Sequence, residues 1–188
     1  SGRGVLRHVL IRVGHKTGQI MVVFVVSGFK FPQGKVLCES LLRKFPQIQT
    51  IVYNLNNKKT SMVLGDEEKI VYGNGYIQDE LHGLKFRISP KSFYQVNPSQ
   101  TEVLYQKAME MAGICENDEV LDVYCGTGTI SLIAAKYAKK VTGVELNPDA
   151  AADAQANARD NHIKNVHFIC EDATKYIERL KVDFKNKS

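Results

Sequence analysis

The spacing of apolar and polar positions changes near the middle of the chain. In the first half, Val5 to Val13 and Gln19 to Val26 are apolar, β-branched runs separated by Gly14-His-Lys-Thr-Gly18. That pattern predicts two strands of a hairpin closed by a glycine-containing loop. Between Pro32 and Pro46, Val36, Leu37, Leu41 and Leu42 recur near helical spacing and predict a short helix over Lys35–Phe45 carrying that apolar stripe. Ile48 to Leu55 predicts a further strand, followed by a polar loop around Asn54, Asn56, Asn57, Lys58 and Lys59. From Ile70 to Ile88, short β-type runs broken by Gly73-Asn-Gly75 and His82-Gly83 predict an antiparallel meander.

After residue 96 the period becomes helical and then alternates. Pro98 to Ala112 predicts a helix with Asn97 as N-cap, Pro98 at its first position, a stripe of Val103, Leu104, Ala108, Met111 and Ala112, and Gly113 as its end. Strands follow at Glu119–Tyr124, Lys140–Glu145 and Val166–Cys170, with helices at Thr129–Ala138 and Pro148–Asn161 between them. Strands alternating with helices imply a parallel sheet of the doubly wound α/β kind. The expected organisation is a β-rich α+β domain over 1–96 and the first, incomplete half of an α/β sheet over 97–188. A fourth strand is expected to begin within Lys181–Ser188.

Composition narrows the classes. With 44% hydrophobic and 24% charged residues and four Cys in 188, disorder, collagen-like repeats and a disulfide scaffold are excluded. The longest apolar run, Ile20 to Val26, is far shorter than the ~20 residues of a membrane-spanning helix. Arg3, Arg7 and Arg12 precede no uninterrupted apolar segment, so no secretory signal is read there, and Ser1-Gly2 reads as an excision scar. Cys38, Cys115, Cys125 and Cys170 are widely spaced, which points to reduced thiols in a cytoplasmic protein and to no metal site. Charge is unevenly divided: residues 1–96 hold 14 Lys+Arg against 6 Asp+Glu, a net +8, and residues 97–188 hold 11 against 14, a net −3. A basic half suits a polyanion such as RNA, although dispersed Lys and Arg also make an ordinary solvated surface.

The sharpest local signal is Leu121-Asp-Val-Tyr-Cys-Gly-Thr-Gly-Thr129, where the first parallel strand meets its helix. Gly126 and Gly128 let the backbone approach a ligand at the carboxyl end of the strand, the ligand-binding edge of open α/β sheets. A dinucleotide fingerprint needs a third Gly where Ser131 stands. Asp122, Glu145 and Asp172 instead put an acid near each of three successive strand ends. S-adenosylmethionine suits such a set, with carboxylates for its methionine amine, its ribose hydroxyls and its adenine amino group, and it has no pyrophosphate to cradle. The competing assignment is an ordinary tight turn with acids that cap helices, strongest for Asp172 taken alone.

Together with Ser92-Phe-Tyr-Gln-Val-Asn-Pro98 and Val141-Thr-Gly-Val-Glu145, the Leu121–Thr129 segment resembles the S-adenosylmethionine-dependent RNA uracil-5-methyltransferases of ribosomal and transfer RNA. The likeness covers essentially the whole chain. It implies a Rossmann-like methyltransferase sheet, with Gln95, Tyr124 and Glu145 as cofactor contacts beside Asp122, Gly126, Gly128 and Asp172. The other assignments are a loop residue capping the Pro98 helix for Gln95 and a core aromatic for Tyr124. The resemblance also implies a Cys thiolate that attacks C6 of a flipped uracil and a base that removes the C5 proton. The segments that carry them in the family do not appear, and Cys125 matches a position that is not the nucleophile. Both catalytic groups are therefore expected beyond residue 188. Neither an oligonucleotide-binding barrel nor an iron–sulfur cluster, which precede this region in some members, is seen. The expected function is C5 methylation of a uridine in RNA, 23S ribosomal RNA ahead of transfer RNA, by a chain inactive alone. No membrane partner is expected, and self-association through the unpaired third strand is. A non-catalytic RNA-binding module is the alternative, and a nicotinamide enzyme is disfavoured by Ser131.

Overall fold

The structure, a computed structural model, describes residues 4–58 and 61–185. They pack as two compact units, one running to Glu80 with Ile88–Lys91, the other comprising Leu81–Arg87 and the residues from Ser92 on. This division does not coincide with the change of period at 96/97, because 81–87 and 92–96 pack with the second unit.

In the first unit, β1 (Leu6–Val13) and β2 (Ile20–Val26) form the expected antiparallel hairpin, α1 spans Gly34–Lys44, and β3 (Ile48–Leu55) returns parallel to β2. The meander expected from Ile70 to Ile88 is not formed. Its first run, β4 (Glu67–Tyr72), joins β3 antiparallel at the sheet edge, giving the order β1-β2-β3-β4. β5 (Ile77–Leu81) pairs separately with β6 (Leu84–Ile88), most of which belongs to the second unit, as a ribbon around His82-Gly83, both at positive φ (51° and 72°), the conformation that two-residue hairpin turns require.

The stripe expected on α1 is rotated. Gly34 and Cys38 are buried, with Leu41 and Leu42 partly so, while Val36 is 61% exposed. Positions 34, 38, 41 and 42 make one helical face, and Val36 falls outside it. This face packs on Phe24, Ile51 and Tyr53, and the Phe24, Phe31 and Tyr53 rings meet at centroid distances of 5.6–6.1 Å. Across the sheet from that cluster, fully buried Asn54 donates to Gly65 O (3.0 Å) and Glu68 Oε1 (3.2 Å) and accepts from Gly65 N (2.7 Å), tying down the loop that enters β4.

In the second unit, α2 (Pro98–Ala112) starts at Asn97, whose Oδ1 accepts from Gln100 N at 3.3 Å, and ends at Gly113 with φ 60°. Its inward residues are Thr101 and Tyr105, not the expected stripe: Val103, Leu104 and Met111 are 60–81% exposed. Then come β7 (Glu119–Val123), α3 (Thr129–Ala134), β8 (Lys140–Glu145), α4 (Pro148–Asp160), β9 (Val166–Cys170) and α5 (Ala173–Lys185). The three strands are parallel in the order β7-β8-β9, so among the described residues β7 and β9 are both edges. Phe86, Leu132, Ile133 and Val141 centre this core, with Tyr105 against them. The expected fourth strand is absent at Lys181–Lys185, which is helix, and residues 186–188 lie outside the described residues. Asp172 starts that helix: its Oδ1 accepts from Thr174 N (2.9 Å) and Lys175 N (3.1 Å). Among the described residues no helix is long and apolar enough to cross a membrane.

Asn54→Ala strands the amide and carbonyl of Gly65 in the interior and should lower unfolding stability by about 2 kcal/mol in urea titration, whereas Val36→Ala on the open face of α1 should change it by less than about 0.5 kcal/mol.

Candidate cofactor site at the carboxyl ends of the parallel strands

The chain leaves β7 through a turn that holds three left-handed residues in five positions: Tyr124 (φ 62°), Gly126 (φ 56°) and Gly128 (φ 79°). Glycine adopts this conformation freely, but Tyr124 does not, and bonds on both sides hold the strained backbone. Cys125 N donates to Val144 O of β8 at 3.1 Å, and Gly128 N to Cys125 O at 2.9 Å. The turn then feeds straight into α3, where Leu132 N donates to Gly128 O. The Tyr124 side chain is 72% exposed, so it presents its ring to solvent at the strand ends and does not serve as a core aromatic.

Glu145, at the end of β8, reaches this turn. Its Oε2 accepts from Gly126 N at 2.9 Å and its Oε1 from Asn147 N at 2.8 Å. One backbone donor per oxygen fixes the carboxylate and leaves each oxygen a second lone pair. Asp122 sits beneath the turn, where Ser131 Oγ donates to its Oδ2 at 2.6 Å. Burial holds the Asp122 carboxyl above the usual range, against the opposing effect of Ser131. Ser131 is fully buried, which gives a structural use to the residue that breaks the dinucleotide pattern. Cys125 is buried between these acids. Desolvation first, then the Asp122 and Glu145 charges, push its thiol up to about 12.

The third acid, Asp172, follows β9 but spends Oδ1 on the start of α5. Gln95 lies in the stretch before α2, half-buried, beside a small pocket lined also by Phe93, Tyr94, Tyr105 and Thr129. The expected residues therefore fall into a bonded pair (Gly126 and Glu145), an acid held by Ser131 (Asp122), a glycine at the start of α3 (Gly128), an exposed ring (Tyr124), a helix-starting acid (Asp172) and an amide lining a pocket with Thr129 (Gln95). Among the described residues no cluster of His, Cys, Asp or Glu is placed to hold a metal ion.

Three contributors were not singled out from sequence. Phe168 of β9 fills the space where side chains at Gly128 and Gly143 would stand: a Cβ on Gly128 would lie 2.6 Å from Phe168 Cζ, and one on Gly143 2.5 Å from Phe168 Cδ1. Gly143 resembles any strand glycine until its ring neighbour is known. The third is Asn157 on α4, fully buried, whose Nδ2 donates to Thr127 O within the turn at 3.0 Å. A lone polar residue in the alanine-rich helical stripe of α4 was the available clue.

Residues 114–186 match a family model described as a methyltransferase domain. The chain is 49% identical over 181 residues to a protein of Oceanobacillus iheyensis named an uncharacterized RNA methyltransferase, a match covering 96% of this chain and 39% of that protein. A Caldanaerobacter subterraneus protein of the same name is 45% identical over 180 residues, covering 96% of this chain and 40% of its own length. Among solved structures, the Pyrococcus abyssi tRNA (uracil-54, C5)-methyltransferase in complex with S-adenosyl-L-homocysteine is similar with a TM-score of 0.73 at 28% identity, over 89% of this chain and 39% of that one. The chain thus spans about two fifths of the length of the curated relatives it matches. The β7–α3 turn, the Glu145 carboxylate and the parallel sheet all lie inside the region that matches the methyltransferase-domain model, and nearly the whole chain is similar to proteins named uncharacterized RNA methyltransferases.

Proposed function

We propose that this chain holds S-adenosylmethionine at the ends of β7, β8 and β9 and serves in methylating C5 of a uridine in RNA. The observation that carries the reading is the Glu145 carboxylate, fixed by Gly126 N and Asn147 N with lone pairs to spare, the form of acceptor two vicinal ribose hydroxyls need. Gly126 and Gly128 give the nucleoside close approach to the backbone, and Tyr124 offers it an exposed ring. Asp122 contributes negative charge toward the methionine amine. Asp172 Oδ2, the oxygen not used in capping α5, accepts from the adenine amino group, and the Gln95 amide closes on the methionine end. When bound, the cofactor supplies an electrophilic methyl group on sulfur.

The thiolate and the base of such a reaction are assigned to the portion of the relatives outside these 188 residues. Cys125, though beside the site, is held neutral by burial and two acids, the opposite of what a nucleophile needs. The basic residues 1–96 take the RNA-facing part. Ribosomal RNA, the 23S species first, is the substrate that the resemblance implies, and transfer RNA is the substrate in the name of the Pyrococcus abyssi neighbour.

Calorimetry tests the cofactor. S-adenosylhomocysteine should bind in the micromolar range and NAD should not, and Glu145→Gln should weaken binding by roughly tenfold, since one charge-assisted pair is worth about 1.5–3 kcal/mol. Absence of S-adenosylhomocysteine binding by the wild-type chain rejects the reading. In a methyl-transfer assay with unmodified 23S ribosomal RNA and transfer RNA, the chain alone should give no product; turnover would assign the nucleophile to one of its own cysteines. Thiol labelling at pH 8 should modify exposed Cys115 and Cys170 quickly and Cys125 only after unfolding. Fast labelling of Cys125 in the folded chain would contradict its place between the two acids.

A further inference from the structure

Along one face of α4, side chains one turn apart grip the backbone of neighbouring segments. Asn161 Oδ1 accepts from Lys85 N at 2.8 Å while its Nδ2 donates to Lys85 O at 2.6 Å. A turn earlier, Asn157 Oδ1 accepts from Arg87 N at 2.8 Å, and the Arg87 guanidinium makes a two-pronged pair with Asp160 at 2.7 and 3.1 Å. A turn earlier still, Asp153 accepts from Ser92 Oγ at 2.9 Å. Residues 153, 157 and 161 share a face because the helix repeats every 3.6 residues.

Asn157 differs from its neighbours on this face. It is 0% exposed, and the Nδ2 of the same side-chain amide donates to Thr127 O, between the two glycines of the site. The helix that bears it begins at Asn147, whose amide holds Glu145 Oε1. One rigid element thereby sets the height of the glycine turn against the ribose acid and against Lys85–Arg87 and Ser92, which lead to Gln95. We infer that Asn157 is a positioning residue for the cofactor site: its amide pins the Thr127 carbonyl, and with it the curvature of the Gly126–Gly128 turn that receives the ligand. The inference rests on the reading of that turn as the S-adenosylmethionine pocket.

The test compares S-adenosylhomocysteine affinity in the wild-type chain, Asn157→Ala, Asn157→Asp and Asn161→Ala, all well below their melting temperatures. Asn161→Ala also removes hydrogen bonds to a strand but touches nothing in the turn, so it should lower Tm and leave affinity unchanged. Asn157→Ala should bind about tenfold more weakly. Asn157→Asp keeps the acceptor for Arg87 N and lacks a donor to Thr127 O until it is protonated, so its deficit relative to wild type should shrink as pH falls. Wild-type affinity within about twofold in both Asn157 variants, or an equal loss in Asn161→Ala, overturns the inference and leaves the cofactor reading standing. Failure of the wild-type chain to bind removes both.

Discussion

The second unit depends on a backbone turn that L-residues resist. Three left-handed residues between Tyr124 and Gly128 swing the chain off β7 and into α3, and only two of them are glycine. Tyr124 carries strain on the order of 1–2 kcal/mol, which surrounding bonds must offset. Those bonds come from each neighbouring layer: Val144 O on β8, the Glu145 carboxylate at its end, and Asn157 on α4. Strain held this way puts an exposed ring and bare backbone at the carboxyl edge of the sheet, where a ligand can reach them.

The same turn explains the packing beneath it. Phe168 lies against Gly128 and Gly143, so the sheet is tightened by an aromatic ring pressed on two positions that lack Cβ. In a dinucleotide fold a third glycine in the helix gives close helix-to-strand contact. Here Ser131 takes that place and, fully buried, spends its hydroxyl on Asp122. The acid beneath the turn is thus oriented, and burial holds its carboxyl above the usual range against the opposing hydrogen bond from Ser131. Burial first, and then the charges of Asp122 and Glu145 acting together, hold the Cys125 thiol protonated.

Apolar residues are not uniformly inward in either unit. On α2 the buried positions are Thr101 and Tyr105, while Val103, Leu104 and Met111 face out. On α4 the face toward Lys85–Arg87 and Ser92 is polar, and its side-chain amides and carboxylate at 153, 157 and 161 each meet a backbone or hydroxyl partner. Burial follows what each face meets, not its hydropathy alone.

Local patterns were enough to read the three parallel strands and the helices between them, the Asn97 and Gly113 ends of α2, and the glycine turn with Glu145 opposite it. Each is legible because a cap, a turn or a period is a property of a few adjacent residues. They were not enough for α5, and α3 stops at Ala134, short of the expected Ala138. Pairing partners were not legible: that β4 would leave the expected meander for β3, or that β3 would run parallel to β2, depends on strands far apart in the chain. Nor was the rotation of α1 and α2, which a stripe of apolar residues suggests but the opposing surface settles. Lys181–Lys185 went to helix because Asp172 starts a helix that nothing in the following residues stops. Phe168, Gly143 and Asn157 acquire their roles only from neighbours brought within contact by folding, since an ordinary phenylalanine, glycine or asparagine carries no local sign of what it will touch.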